Sequence, residues 1–311
     1  MDNSFRIGHY SDTENVTGCT VILCPPGTIA SCYICGSAPG SRELALLAPE
    51  RKIEVINAIL LTGGSAFGLD AASGVMKYLE EREIGYATSS GAVPIVPAAV
   101  IFDLNIGHNI RPTAKNAYQA CLQAKPEFTD QGSIGAGTGA TVGKWAGLEY
   151  CMKGGLGIAE VNMGKAWVKA ICVVNSVGDV IDANGKIIAG ARNDKGQFIA
   201  QTGFDMRWRL PKVGFTENTV LSTIITNVHL SKLEAYNLAR RAQNGLARAI
   251  IPANTSFDGD IIFALSKGSE KLDKDVLYEM SAEALRQAII VGVRKAQALA
   301  GIPALGDTMG T

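Results

Sequence analysis

One junction stands out in the sequence: Pro211-Lys-Val-Gly-Phe-Thr-Glu-Asn218-Thr219-Val-Leu-Ser-Thr-Ile-Ile-Thr-Asn-Val228, where a polar segment meets a strand of β-branched residues at a hydroxyl residue. An internal threonine has no strong base of its own. If the bond between Asn218 and Thr219 is broken, Thr219 gains an α-amine with a reference pKa of about 8, which can accept the hydroxyl proton. The pattern allows Thr219 to be nucleophile and base in one residue, although an Asn-Thr pair at a strand start is more often only a turn.

The composition describes a compact protein with a large core. The chain has 311 residues, of which 47% are hydrophobic and 19% charged, and it contains 35 glycines. Its 29 basic and 29 acidic residues cancel, and no basic block occurs. We therefore expect no nucleic-acid partner and no membrane partner. The low charge fraction leaves apolar surface to cover, which favours a homo-oligomer.

The expected cellular compartment and the redox state of the cysteines are inferred from targeting signals that we do not see in the sequence. We see no basic segment followed by an apolar run at the N-terminus, and no apolar stretch of about 18 residues, so we predict neither a signal peptide nor a membrane span. The seven cysteines are then expected to be reduced thiols in a cytoplasmic protein. Cys32-Tyr-Ile-Cys35 has redox or zinc spacing, but no second such pair or matched histidine pair accompanies it. We interpret these cysteines as structural and predict no metal.

Strand and helix patterns are mixed, without an internal repeat. Strands precede helices in several places, but strands also follow one another directly, so we expect sheets sandwiched by helices rather than a regular doubly wound sheet. The predicted strands cover residues 19–23, 55–61, 93–104 (with a loop), 166–175, 180–181, 220–228 and 261–265, and the predicted helices cover 66–82, 114–124, 233–250 and 276–300.

Three glycine-rich places suggest phosphate binding, and none meets its requirements. In residues 132–144, a P-loop would need glycine where Thr138 stands and a hydroxyl residue where Trp145 stands. The dinucleotide fingerprint does occur there, but polar residues precede it where a buried strand is required. We predict no nucleotide cofactor and interpret the glycines as backbone that passes close to another segment. Residues 62–68 are predicted to be a strand-to-helix turn and residues 154–157 a loop.

Five motifs occur together and in order: Leu61-Thr-Gly-Gly-Ser-Ala-Phe-Gly-Leu-Asp70, Gly135-Ala-Gly-Thr-Gly-Ala-Thr-Val-Gly-Lys144, Asn218-Thr219, Gly245-Leu-Ala-Arg-Ala-Ile250 and Phe257-Asp-Gly-Asp260. As a set they resemble the DmpA-type, or β-aminopeptidase, family of self-processing N-terminal-nucleophile peptidases. The branch they resemble most contains the aminohexanoate-oligomer (nylon-oligomer) hydrolases. The resemblance spans residues 5–306, and each motif alone is weak.

The resemblance implies an α+β fold, the four-layer αββα sandwich shared with ornithine acetyltransferase. It also implies one catalytic domain, 1–311, made of a large fragment 1–218 and a small fragment 219–311 after self-cleavage. The expected activity is hydrolysis of small peptides or amides without a cofactor. The expected assembly is a tetramer or larger oligomer of processed pairs.

The resemblance also assigns roles to particular residues: Thr219 as nucleophile, Asn218 before the processed bond, Asn175 as side-chain donor to the oxyanion, Lys144 as the group that orients the nucleophile or its amine, and Asp258 and Asp260 as paired acids behind the nucleophile. Both acids should point the same way, because one residue separates them in an extended segment. Without the resemblance, Lys144 would be interpreted as a surface lysine and the acids as an Asp-Gly turn.

One departure and two alternatives keep the function open. Aminopeptidases of the family carry a tyrosine in the segment that aligns with residues 96–104, where this chain has Ile101-Phe102. That difference favours the lysine-using branch over an aminopeptidase preference. The first alternative is an acyltransferase resembling ornithine acetyltransferase, with Thr219 passing an acyl group to an amine. The second is a non-enzymatic binding protein whose two regions stay joined.

Overall fold

The computed structural model describes residues 4–200 and 218–308, so the polar half of the junction, residues 211–217, lies outside the described residues. The elements are the strands β1 Arg6–Asp12, β2 Thr17–Leu23, β3 Ile29–Ile34, β4 Ser41–Arg42, β5 Ala58–Thr62, β6 Tyr86–Thr88, β7 Gly91–Val93, β8 Ala98–Val100, β9 Thr141–Val142, β10 Met152–Lys153, β11 Gly155–Met163, β12 Ala166–Asn175, β13 Asp179–Ile181, β14 Ile187–Ala189, β15 Thr219–Val228, β16 Ile250–Ile251 and β17 Ile261–Glu270, and the helices α1 Ala72–Glu80, α2 Ala114–Leu122, α3 Lys232–Ala249 and α4 Lys274–Lys295.

Two large sheets lie face to face between helices. Within the described residues, the first sheet has the order β1-β2-β5-β8-β4 and the second β11-β12-β15-β17-β3. Helices α1 and α2 pack on the outer face of the first sheet, and α3 and α4 pack on the outer face of the second. Separate apolar cores fill the space between the sheets and beneath each helix pair. This is the α+β, four-layer αββα sandwich that the sequence predicts.

Strand β15 lies in the centre of the second sheet and is covered on both faces. Leu221 and Ile225 lie in the core between the sheets, whereas Val220 and Ile224 face the helices. A strand buried on both sides has no need for alternating polarity, so its residues form a nearly continuous apolar and β-branched run. This explains why the pattern of residues 220–228 predicted a strand correctly.

The prediction of a loop at residues 154–157 is wrong, because Gly155 begins β11. This strand pairs with β12 and lies under α4. A Cβ atom at Gly157 would overlap the carbonyl oxygen of Ala288 in α4. The glycines that suggested a loop therefore allow a helix to approach the strand closely.

The other two glycine-rich places agree with their predictions. Residues 62–68 run from the end of β5 through a turn at Gly63 and Gly64 into the 3₁₀ helix Ser65–Ala71, with Gly64 at a φ of 86°. In the 132–144 segment, a Cβ at Gly137 would overlap the backbone nitrogen of Leu156. The backbone of this segment thus passes directly against β11.

The two cysteines with redox spacing contact opposite faces of the second sheet, Cys32 from within β3 and Cys35 from directly after its last residue. Cys32 belongs to the core between the sheets, whereas Cys35 packs against the core under the helices. Residues three apart in a strand point in opposite directions, so the spacing does not bring the sulfur atoms together. Burial raises the pKa of the Cys32 thiol to about 12. These features fit the interpretation of the pair as structural.

The helices of the described residues offer no candidate for a membrane-spanning segment. Across residues 4–200 and 218–308, none of them combines the length and the hydropathy that crossing a bilayer requires.

Candidate active site

Thr219 is the first residue of β15 and is 6% exposed. Its backbone pairs with Asn175, the last residue of the neighbouring strand β12. Thr219 Oγ1 donates a hydrogen bond to the carbonyl oxygen of the preceding residue, Asn218, at 2.6 Å. The hydroxyl therefore lies beside the carbonyl group that self-cleavage would attack.

A second donor reaches the same carbonyl oxygen. Gly259 N–H donates to Asn218 O at 2.7 Å, and Asn218 N–H donates to Phe257 O at 3.2 Å. A Cβ at Gly259 would meet Ala38 O and would stand 2.8 Å from Thr219 Oγ1. A glycine is needed here because the backbone must approach the threonine hydroxyl. The Gly259 amide is aimed at the oxygen on which negative charge would develop during cleavage.

The two predicted acids flank Gly259 and are both buried. Asp260 Oδ1 accepts a hydrogen bond from Val220 N–H at 2.7 Å, directly after the nucleophile candidate. Asp258 Oδ2 accepts bonds from the backbone and the hydroxyl of Thr255, each at 2.7 Å. The other oxygen of Asp258 is buried and makes no hydrogen bond among the described residues.

Burial controls the protonation of this pair. It raises the pKa of the Asp258 carboxyl above its usual value. Burial, and then the charge of Asp258, raise the pKa of Asp260 well above its usual value. Two carboxyl groups in such a site tend to share a proton, since ionising both places like charges together in a medium of low dielectric constant.

Lys144 is also buried, unlike the surface lysine that it would be taken for without the family resemblance. Its Nζ donates to the side-chain oxygen of Asn175 at 2.8 Å and to the Asn175 carbonyl at 3.3 Å. Burial lowers the pKa of Lys144 to about 8. Within the described residues, the hydrogen bonds of its ammonium group thus go to Asn175 rather than to Thr219.

The side chain of Asn175 is fully buried and is fixed in one orientation. Its Oδ1 accepts from Thr141 N–H at 3.0 Å and from Lys144 Nζ at 2.8 Å. Because an ammonium and a backbone amide can only donate, this end of the side chain must be the oxygen. The opposite end is therefore the amide nitrogen, which donates to Phe102 O at 3.3 Å. Of its two N–H groups, this bond uses one.

The structure thus brings all six predicted residues into one region, where β12, β15 and the segment before β17 meet. Sequence reasoning missed three backbone groups: the amide of Gly259, the amide of Thr141 and the carbonyl of Phe102. The glycine between two acids was a usable signal. The other two groups act through atoms that every residue carries, so side-chain identity gave no sign of them.

Comparison with known proteins decides the family. The family model described as "Peptidase family S58" matches residues 3–304 of this chain. The chain belongs to this family. An uncharacterized aminopeptidase of Mycobacterium leprae is 36% identical, over 99% of this chain and 95% of its own length. A 6-aminohexanoate-oligomer endohydrolase of Kocuria sp. (strain KY2) is 33% identical, over 83% of this chain and 71% of its own length.

Two solved structures share the fold of this S58 peptidase. The β-aminopeptidase of a Burkholderia species superimposes with a TM-score of 0.74 at 19% identity, over 98% of this chain and 89% of its own. The L-aminopeptidase D-Ala-esterase/amidase of Ochrobactrum anthropi, described as a variant of the Ntn hydrolase fold, gives 0.72 at 17% identity, over 96% and 86%. At these identities the likeness establishes the fold.

The family resemblance predicted from the five motifs is confirmed, and with it a hydrolase of the peptidase and amidase class. Family membership favours this class over the acyltransferase and the binding protein.

Proposed function

We propose that this S58 peptidase cuts itself between Asn218 and Thr219 and then hydrolyses small amides or peptides with Thr219 as its N-terminal nucleophile. One observation carries the proposal. The carbonyl oxygen of Asn218 accepts hydrogen bonds from both Thr219 Oγ1, at 2.6 Å, and Gly259 N–H, at 2.7 Å. The attacking hydroxyl and a donor for the developing oxyanion thus converge on one peptide group.

Self-cleavage follows from this arrangement in two steps. Oγ1 attacks the carbonyl carbon of Asn218, the hydroxyl proton passes to the Thr219 nitrogen, and the peptide bond breaks to leave an ester. Water then hydrolyses the ester, which gives Asn218 a carboxylate and Thr219 a free α-amine. The Gly259 amide stabilises the negative charge on the Asn218 oxygen in the transition state.

Turnover uses the new amine as the base. The α-amine of Thr219 takes the hydroxyl proton, the oxygen attacks the substrate carbonyl, and the leaving amine departs protonated. The second N–H of the Asn175 amide stabilises the oxyanion, and Asp258 and Asp260 hold the α-ammonium and hydroxyl groups. Water then releases the acyl group from Thr219.

The proposed substrate class is based on the names of the related proteins. One is named an oligomer endohydrolase for 6-aminohexanoate and others are named aminopeptidases, so we propose linear amides with a terminal amine as substrates. Purified protein tested on L-alanine p-nitroanilide, β-alanine p-nitroanilide and the 6-aminohexanoate dimer should turn over at least one of the three.

Intact-mass analysis of purified active protein tests the central claim. Fragments of about 23 and 10 kDa are expected, the shares of the 32.7 kDa chain that residues 1–218 and 219–311 hold, with the small fragment beginning at Thr219. Thr219→Val should leave a single uncut chain without activity. Thr223→Val is the matched control, because it removes from the same strand a buried hydroxyl that makes no hydrogen bond within the described residues. Active protein that remains full length would overturn the proposal.

A further inference from the structure

Lys153 is a buried cation that the proposed reaction does not use. It ends the short strand β10 and its side chain is 0% exposed. Its Nζ donates to the carbonyl oxygens of Thr138 at 2.6 Å and Ala140 at 2.8 Å. No acidic side chain lies within ion-pair distance of it in the part of the chain that the structure describes.

The backbone that Lys153 holds leads directly to the candidate active site. Thr141 follows Ala140, pairs with Lys153 across the β9–β10 ladder, and donates its N–H to Asn175 Oδ1 at 3.0 Å. Lys144, three residues further along, donates to the same oxygen at 2.8 Å. Both groups that fix the oxygen end of Asn175 therefore belong to the segment whose preceding carbonyls are held by Lys153.

The positive charge of Lys153 costs free energy at this buried position. An apolar side chain that only filled the space would avoid that cost. Burying an ammonium is unfavourable, and here burial lowers the pKa of Lys153 to about 7. A methionine would fill the same length without that cost. Cys151, and then the negative charge of Asp103, shift the pKa of Lys153 in the opposite direction. Asp103 follows Phe102, whose carbonyl accepts the bond from the nitrogen end of Asn175.

We propose that Lys153 is a positioning residue for amide hydrolysis. By holding the carbonyls of Thr138 and Ala140, it fixes the Thr141 amide and through it the side-chain amide of Asn175. The inference rests on the proposed function, in which Asn175 stabilises the oxyanion. An error of about 1 Å in the position of such a donor can reduce a rate by a factor of about 100.

The first test compares Lys153→Met with a matched lysine elsewhere. Lys232 is buried and its Nζ donates to three carbonyls, those of Leu46, Arg51 and Ile53. It begins α3, beyond the end of β15 that is opposite Thr219. Turnover of L-alanine p-nitroanilide, or of whichever of the three amides the wild type cleaves best, is measured per processed enzyme.

For Lys153→Met we expect kcat to fall roughly tenfold to hundredfold, with KM within about twofold. For Lys232→Met we expect a lowered melting temperature and an unchanged kcat. A purely structural role for Lys153 predicts that both variants lose stability and keep their kcat. That result would overturn the proposal.

A double-mutant cycle tests whether Lys153 acts through Asn175. If it does, Lys153→Met should change kcat by less than about twofold in an Asn175→Ala background. An equal fall in both backgrounds would show that Lys153 acts elsewhere. If the methionine variant does not fold or mature, Lys153→Gln, which keeps an N–H donor, replaces it in the same cycle. Activity in Thr219→Val would instead refute the proposed function, so the two failures are distinguishable.

Discussion

Asn175 shows how much of the site depends on the orientation of one side chain. Its two ends are nearly alike in shape, and only the nitrogen end can stabilise an oxyanion. Two obligatory donors, the Thr141 amide and the Lys144 ammonium, face the oxygen end and exclude the reverse orientation. Lys144, which the family resemblance linked to the nucleophile, therefore fixes the orientation of the Asn175 side chain directly.

Removal of the Asn175 amide should separate turnover from maturation. Asn175→Ala is expected to lower kcat by roughly 10²–10³ with little change in KM, because the lost bond forms in the transition state. Self-cleavage should continue, since Gly259 N–H serves the carbonyl of Asn218. Steady-state kinetics and the rate of appearance of the small fragment give the two quantities. Equal losses in both would indicate that one donor serves both reactions.

The paired acids should affect both steps, since they act on the threonine itself. Asp258→Asn and Asp260→Asn keep the shape of each side chain and remove its charge. We expect each to slow both the appearance of the small fragment and kcat for a chromogenic amide. Asp182→Asn is the control, because the half-buried Asp182 precedes an exposed turn and, within the described residues, accepts bonds only from the backbone amides of Asn184 and Lys186. If both site variants self-cleave and turn over the amide at wild-type rates, the paired-acid assignment is wrong and Asp258-Gly259-Asp260 serves only as a turn.

Among the elements, α4 and β11 pack closely because glycines stand at their contact. Gly155 and Gly157 expose backbone where a side chain would collide with the helix. Strand β11 supports β12, which carries Asn175 at its end. The distance between helix and sheet therefore bears on the position of the candidate oxyanion donor.

A single methyl group should disturb this contact. Gly157→Ala would place its Cβ against the Ala288 carbonyl, and we expect it to destabilise the fold by about 1–3 kcal/mol. Gly306→Ala is the control, since a Cβ there meets nothing within 4 Å. Urea unfolding of both variants measures the difference. Equal midpoints would mean that α4 can move away from the sheet without cost.

The folded molecule buries charged groups, and this gives its stability a pH dependence. The pKa of Lys153 is about 7 in the folded chain and 10.5 as the unfolded reference. Between these values the unfolded chain binds more protons, so this lysine makes stability rise as the pH rises. Below about pH 7 both states are protonated and its unfavourable contribution is complete.

The comparison of Thr219→Val with Thr219→Val/Lys153→Met isolates this contribution, because both chains stay uncut and share their other titrating groups. From pH 7 to pH 10, the single variant should gain free energy of unfolding relative to the double variant, by an amount on the order of a few kcal/mol. Urea unfolding at several pH values measures the two curves. Parallel curves would show that Lys153 titrates as it does in the unfolded chain.

The sequence alone determined the features that depend on side-chain type and local pattern. The β-branched run predicted β15 because a strand buried on both faces must be apolar throughout. The segment at residues 233–250 predicted α3 almost to its ends, Lys232–Ala249. The five motifs, recognised as a set, indicated the family, and the family resemblance implied the four layers and the six candidate residues.

Only the tertiary structure decided what depends on a partner distant in sequence. The glycines of β11 predicted a loop because the helix that requires them, α4, lies more than a hundred residues further along the chain. The pairing of Asn175 with Thr219, the Gly259 amide on the Asn218 carbonyl and the burial of Lys144 and Lys153 arise where separate elements meet. Nearly every residue carries the same backbone amide and carbonyl groups. Only the fold therefore determines which partners these groups meet.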